Sequence, residues 1–356
     1  MCDDAHDSQG IGSGMKAIPI DQAVGTVLAH DITEIRPGEF KGRAFKKGHI
    51  IREEDVSHLL QLGKENLFVL NLAEDELHEN DAAYSIARAL SGNGVAIKGE
   101  PKEGKISIIA KRDGLLKIHK DALLAFNMLG EVMCATLHNN TVVKNGQTVA
   151  ETRAIPLVVK RSIVEQAVQV AKEVSSVIQV IEIRKPRVGV VITGNEVYHG
   201  RIKDAFAPVI TKKIEQIGGE LVGIYYAPDD KAFIVDRLRE LLKAGADLLI
   251  TTGGMSVDPD DVTRFAIREL GAEDITYGSA VLPGAMFLTA YLGNVPILGI
   301  PACGMYAKTT IFDLILPRVL AGEKIGRREL AELGHGGLCM KCDVCRYPVC
   351  PFGKLG

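Results

Sequence analysis

Between Arg187 and Thr263 the apolar positions follow two periods in turn. Val188-Gly189-Val190-Val191-Ile192 is an unbroken apolar run, the pattern of a strand covered on both faces of a parallel sheet. It ends in Thr193-Gly194-Asn195-Glu196. After Pro208 the residues Ile210, Ile214 and Ile217 recur at helical spacing, and Gly218-Gly219 supplies the stop. Leu221 to Tyr226 predicts a second strand. Phe233, Ile234, Leu238, Leu241 and Leu242 mark one face of a second helix, and Ala246 to Thr252 a third strand. That strand runs into Gly253-Gly254-Met255-Ser256-Val257-Asp258-Pro259-Asp260-Asp261, after which Val262 to Leu270 reads as helix. Such alternation predicts parallel pairing with right-handed crossovers, and ligands in these sheets bind beyond the carboxyl ends of the strands. Both loops fall at that edge.

The flanking chain is patterned in shorter pieces. Ile20 to Asp31 and Phe45 to Ile51 predict short strands, Glu53 to Leu62 a helix with Val56, Leu59 and Leu60 inward, and Leu67 to Leu70 a closing strand. Glu74 to Leu90 reads as an amphipathic helix. Strands over Lys105 to Ala110, Val132 to Leu137 and Thr141 to Val143 follow, with a turn signal at Asn145-Gly146. Ser162 to Ile181 predicts a helix that opens on a Ser162/Glu165 capping box and connects rigidly. Beyond the central stretch come strands over Ile275 to Val281, Met286 to Tyr291 and Val295 to Ile300, then a helix from Met305 to Leu320. The expected organisation is a disordered tail (1–15), a small α+β module (16–73), a β-rich module (74–160), a connecting helix (161–185), an α/β domain with a mostly parallel sheet (186–325), a linker (326–338) and a cysteine-rich tail (339–356).

Composition narrows the function. With 356 residues, 46% of them hydrophobic, the chain can bury two or three sizeable cores. A formal net charge of -3 offers no basic footprint for nucleic acid or an anionic membrane. Neither a membrane-length apolar run nor a signal pattern is present, so a cytoplasmic protein is expected. Four of the seven cysteines fall after residue 338, which favours metal binding in a reducing compartment over a disulfide framework.

The two loops suggest their own chemistry. Gly253-Gly254 lets amide N–H groups approach a phosphate or other oxyanion with no Cβ in the way. Asp258, Asp260 and Asp261 are clustered, and like charges roughly 4 Å apart would cost about 4 kcal/mol per pair at an intermediate dielectric. A helix cap would account for one of them. With Glu196 and Asp229-Asp230 on neighbouring strand ends, the collection points to a divalent cation, magnesium, handling a phosphate or oxyanion.

Thr193-Gly194-Asn195-Glu196-Val197, Asp204, Asp229-Asp230, Gly253-Gly254-Met255-Ser256-Val257, Asp261-Val262-Thr263 and Pro283-Gly284 together resemble the molybdopterin-binding domain of molybdenum cofactor biosynthesis. The pattern is similar to that of the molybdopterin molybdenumtransferases and the gephyrin E-domain, over about residues 187 to 320. The resemblance implies a three-layer α/β fold and a transferase that binds adenylylated molybdopterin, cleaves its phosphoanhydride and inserts molybdate into the dithiolene. It implies that Glu196, Asp230 and Asp261 act catalytically around cation or molybdate, with Asp261 a metal ligand. Thr193, Gly194, Gly253, Gly254, Ser256, Pro283, Gly284 and Pro301 would line the pterin site. A homodimer and a molybdoenzyme apoprotein as recipient are implied with it. Cys303 lies in the Pro301 loop, and Lys308 is placed to meet an anion there.

This sequence departs from the family pattern in several places. Asn195 stands where the family has aspartate, Asp204-Ala205-Phe206 replaces Asp-Thr-Asn, and Ala302 replaces the glycine after Pro301. The Asp-Gly-Tyr-Ala signature of the transferases is absent. A non-catalytic molybdopterin carrier or sensor is therefore the alternative. Molybdopterin adenylylation is a third reading, disfavoured by the extra modules and by GGMSV in place of GGTG. In the tail, Cys339, Cys342, Cys345 and Cys350 can wrap one metal centre, either a 4Fe–4S cluster or structural zinc.

Overall fold

Val188, Val190 and Ile192 bury against one face of a sheet and Val191 against the other, which is why the strand they share had to be apolar throughout. The computed structural model describes residues 15–36, 40–70, 73–255 and 261–354. The chain divides into two compact units. The first takes Met1–Arg112, Leu116–Leu137 and Val143–Val180, and the second Asp113–Leu115, His138–Val142 and Ile181–Gly356.

The second unit contains β1 (Arg187–Thr193), α1 (Phe206–Gln216), β2 (Glu220–Ala227), α2 (Lys231–Lys243), β3 (Leu248–Thr252), α3 (Thr263–Glu269), β4 (Glu273–Tyr277), β5 (Leu288–Leu292), β6 (Val295–Ile300) and α4 (Ile311–Leu320). Its six-stranded sheet has the order β2-β1-β3-β6-β5-β4. The first four strands are parallel and the β6-β5-β4 edge is antiparallel. Leu248, Ile250, Leu298 and Ile300 join Val188, Val190 and Ile192 under α1 and α4, while Leu249 and Ile297 join Val191 under α2 and α3. These are the three layers and the mostly parallel sheet expected.

In the first unit, Met15–Pro19 pairs antiparallel with Asn66–Leu70, and a hairpin of Ile32–Arg36 and Phe40–Phe45 closes over Ile18, Leu28, Ile51 and Leu59. A four-stranded antiparallel sheet (Val95–Lys102, Lys105–Ala110, Thr148–Ala154, Val132–Thr136) then buries Ile108, Val132 and Val149 with apolar residues of the helices Glu79–Leu90 and Arg161–Lys172. Among the described residues no helix is long and apolar enough to cross a membrane.

Three expected helices are shorter than their apolar patterns. The Ser162–Ile181 helix stops at Lys172, is capped from Lys160 without a side-chain bond, and gives way to a strand at Ile178–Ile181. Val174, Val177 and Ile178 fit either period, and the β-branched run around Ser175-Ser176 is a poor helix former, so burial of Val177, Ile178 and Val180 decides for extended chain. The helix predicted from Glu74 begins at Glu79, because Glu76–His78 pairs with Val158–Lys160. The helix predicted from Met305 begins at Ile311. Thr310 caps it through the Phe312 amide at 3.2 Å, and the Asp313 carboxylate accepts from the Thr310 amide at 2.8 Å.

Candidate functional site

The carboxyl ends of β1 and β3 open onto a cavity of about 300 Å³. Two buried threonines join the strand ends here, Thr193 on the cavity lining and Thr263 beneath the loop that follows β3. Thr193 Oγ1 donates to the Thr252 carbonyl at 2.9 Å and lies 3.0 Å from Thr263 Oγ1, which leaves Thr263 as the donor in that second bond. The loop after β3 can pass over this pair because it begins with two glycines. Gly253 has φ +78° and Gly254 φ +54°, and a Cβ on either would lie 2.3 Å from the Thr193 carbonyl oxygen or 2.4 Å from Thr263 Oγ1.

The turn after β1 is tied to the turn after β2 by a reciprocal pair. The Asn195 amide donates to Asp229 Oδ2 at 3.0 Å, and Asn195 Oδ1 accepts from the Asp229 amide at 3.3 Å. Asp204 starts α1 by accepting from the Phe206 and Ala207 amides at 2.8 and 2.9 Å, and Tyr226 donates its hydroxyl to the same carboxylate at 3.1 Å. Burial first, and the Asp204 charge second, raise the Tyr226 phenol above its ordinary value, so it remains a donor.

Of the residues singled out in the sequence, Thr193, Glu196, Gly253, Gly254, Asp261 and Pro301 line this cavity. Ser256 lies outside the described residues, as do Asp258 and Asp260. Gly194, φ +139°, is the N-cap of the one-turn helix Asn195–Tyr198 and is not part of the lining. Asp230 is the N-cap of α2: its exposed carboxylate accepts from the Phe233 amide at 2.7 Å, and it is not among the residues lining the cavity. Pro283 and Gly284 stand off the lining as well. A Cβ on Gly284 would meet Ile311 Cγ2 at 2.4 Å, so that glycine serves the packing of α4. Met286 of the same loop reaches the cavity instead. Cys303 and Lys308 do not line it. Burial raises the Cys303 thiol above its usual pKa, so it is held as the neutral thiol.

Lys203, Asp204, Phe206, Met255, Met286 and Met305 are also on the lining. Sequence reasoning gave Lys203 no role, although it directly precedes Asp204. Glu196, Asp204 and Asp261 thus share the described part of the lining with one lysine. Among the described residues, no group of three or more His, Cys, Asp or Glu side chains is arranged to hold a metal ion. This covers the tail, where the four-thiolate centre expected from spacing is not assembled. Cys339 and Cys350 are half-buried against the core of the second unit, Cys342 and Cys345 are exposed, and Cys345 Sγ lies 3.4 Å from Thr309 Oγ1.

Residues 189–321 match the family model described as "Probable molybdopterin binding domain", and residues 17–71 match one described as a domain of unknown function. A CinA-like protein of Thermosipho melanesiensis is 42% identical over 84 residues, which are 24% of this chain and 21% of that protein. The chain thus spans about a fifth of the length of that curated relative. The structure of a CinA protein of unknown function from Thermoplasma acidophilum covers 38% of this chain and 98% of its own, at 16% identity and a TM-score of 0.34. That of the molybdopterin biosynthesis enzyme MoaB from Thermus thermophilus covers 39% and 98%, at 23% identity and a TM-score of 0.34.

Proposed function

We propose that the cavity beyond β1 and β3 takes the phosphate end of molybdopterin and that the chain acts in molybdenum cofactor biosynthesis, a reading supported by the match of residues 189–321 to the family model described as a probable molybdopterin binding domain. The finer reading is a transferase. Adenylylated molybdopterin binds, its phosphoanhydride is cleaved with release of AMP, and molybdate enters the dithiolene.

The charge balance of the cavity is the observation on which this rests. Glu196, Asp204 and Asp261 are opposed by Lys203 alone among the described lining residues, yet the ligand itself is anionic. Two unit charges at 4 Å repel by about 4 kcal/mol at an effective dielectric of 20, so a phosphoanhydride is admitted with added cations. An all-oxygen donor set suits magnesium. Glu196 and Asp261 would hold it, while Asp204 accepts from the first amides of α1. Bound there, magnesium supplies neutralisation of the phosphate charge. Lys203 orients the anion electrostatically, the amides after β3 accept it at the glycine turn, and Phe206, Met286 and Met305 keep water from the reacting end. A second copy of the chain and a recipient apoprotein belong to the same proposal.

The test is AMP release from adenylylated molybdopterin, measured anaerobically with magnesium, with and without molybdate. Molybdate-dependent release is expected, and Asp261→Asn is expected to abolish it while leaving pterin binding in place. Tight binding with no release would replace the transferase by the carrier or sensor, the reading favoured by Asn195 and by the structural use of Asp230.

A further inference from the structure

The second unit holds another cavity, of about 180 Å³, that shares no lining residue with the one beyond β1 and β3. Its walls come from α1, α4, the 138–142 segment and the carboxy-terminal tail, all of them in the second unit. The tail can form a wall because it is fastened at both ends. The Cys339 amide donates to the Leu282 carbonyl at 2.9 Å, and the Gly353 amide to the Gly336 carbonyl at 3.0 Å. Phe352, 4% exposed, packs in one core with Leu316 and Leu333, and the Tyr347 hydroxyl donates to the Asp313 carbonyl at 3.1 Å.

The described lining carries three cations, Lys213, Arg318 and Lys354, and two of them are paired. Lys213 forms a salt bridge with Asp313. Arg318 holds Glu323 through Nε at 3.0 Å and Nη2 at 2.5 Å, while its buried Nη1 has no acceptor. Lys354 differs. It is half-buried and its ammonium makes no ion pair among the described residues. Its one partner there is Thr141 Oγ1 at 3.5 Å, the far limit of a hydrogen bond, and that hydroxyl itself donates to the His138 carbonyl at 2.6 Å. Desolvation holds the Lys354 ammonium below its ordinary pKa, with Cys350 acting in the other direction. A partly buried cation without a counter-charge is costly, and a carboxylate set beside it would form a charge-assisted hydrogen bond.

Much of the remaining wall is apolar, with Leu314, Leu316, Leu333 and Phe352 on it. A cavity of roughly 150 Å³ lined by such residues accepts benzene. We propose that this second cavity binds a small organic monoanion, a carboxylate on an apolar body of about one ring, with the carboxylate against Lys354. One uncompensated cation matches one negative charge, so a phosphate dianion would bring a charge that nothing on the lining offsets. An inorganic anion would leave the apolar wall without a partner. Apolar walls with a single placed charge are the usual make-up of a small-molecule site. Nothing in this inference depends on what the cavity beyond β1 and β3 binds.

The full chain is titrated with para-fluorobenzoate and followed by fluorine NMR, with para-fluorobenzamide as the neutral twin and para-fluorophenyl phosphate as the dianion. The benzoate is expected to bind with a Kd of about 1 mM, a value ordinary for so small a ligand. The benzamide and the phosphate should each bind at least about tenfold more weakly. Lys354→Gln should weaken benzoate at least about tenfold, and Lys354→Arg, which keeps the charge, should restore most of the affinity. Lys243→Gln, an exposed change on α2 across the sheet, should leave it unaltered. No benzoate binding at about 10 mM, tenfold above the expected Kd, overturns the proposal. Equal binding of the benzamide, tighter binding of the phosphate, or full affinity in Lys354→Gln does the same. Molybdopterin binding should be unchanged in Lys354→Gln, so the two cavities succeed or fail separately.

Discussion

Replacing Gly253 with alanine would place a methyl group 2.3 Å from the Thr193 carbonyl oxygen and 2.8 Å from Thr193 Oγ1. Real Cβ atoms essentially never come within 3.0 Å of such atoms, so the end of β1 or the loop must move by about 1 Å in a close-packed layer. The φ of +78° adds about 1–2 kcal/mol for an L-residue. Displacing packed backbone adds about 1–3 kcal/mol. The sum, about 2–5 kcal/mol, corresponds to a melting decrease of roughly 5–15 °C for a unit of this size. Gly200→Ala is the matched control, because Gly200 has φ +67° with no atom within 4 Å of its ideal Cβ and incurs the backbone cost alone. Scanning calorimetry of both variants should show Gly253→Ala melting well below Gly200→Ala, and molybdopterin titration should show binding lost in the first only. If Gly253→Ala melts no lower than its control, the close approach of the two loops is not a constraint and the reasoning about the glycine turn is refuted.

Other outcomes follow from single contacts. Asp230→Ala removes the α2 cap and should cost about 1 kcal/mol in denaturant unfolding while leaving AMP release unchanged. A fall in turnover matching that of Asp261→Asn would restore Asp230 to the active site. In the first unit, burial pushes the Glu79 carboxyl up from 4.5 to about 7. The native state then holds a proton that the unfolded chain has released, so stability falls as pH rises from about 4.5 to about 7 and levels off above it. Glu79→Gln should remove this slope and raise stability at pH 8 by up to about 3 kcal/mol. An unchanged slope in that variant, measured by urea unfolding across the range, would assign the effect to another group.

The α/β layering could be read from the chain because β1 and β3 are buried on both faces, and an unbroken apolar run leaves little choice of environment. Ser162 to Ile181 misled for the opposite reason: Val174, Val177 and Ile178 satisfy both periods, and tertiary burial chose between them. Within the site, the glycine turn and Asp261 were legible as local motifs. Lys203 and Met286 were not, since membership of the cavity depends on distant chain segments coming together. A carboxylate at a strand-to-helix junction, such as Asp230, looks the same in sequence whether it caps the helix or meets a ligand. The Thr193–Thr263 bond, which joins the two loops, spans seventy positions and has no sequence signal of its own.

The central claim is that the cavity beyond β1 and β3 is the pterin site, and equilibrium binding of molybdopterin to the full chain under anaerobic conditions tests it most directly. Lys203→Glu reverses the cation on the lining, whereas Lys308→Glu makes the same change on an exposed residue away from it. The account predicts binding by the wild type, weakened at least about tenfold, or about 1.4 kcal/mol, by Lys203→Glu and unaffected by Lys308→Glu. Absence of binding, or equal loss in both variants, would contradict it.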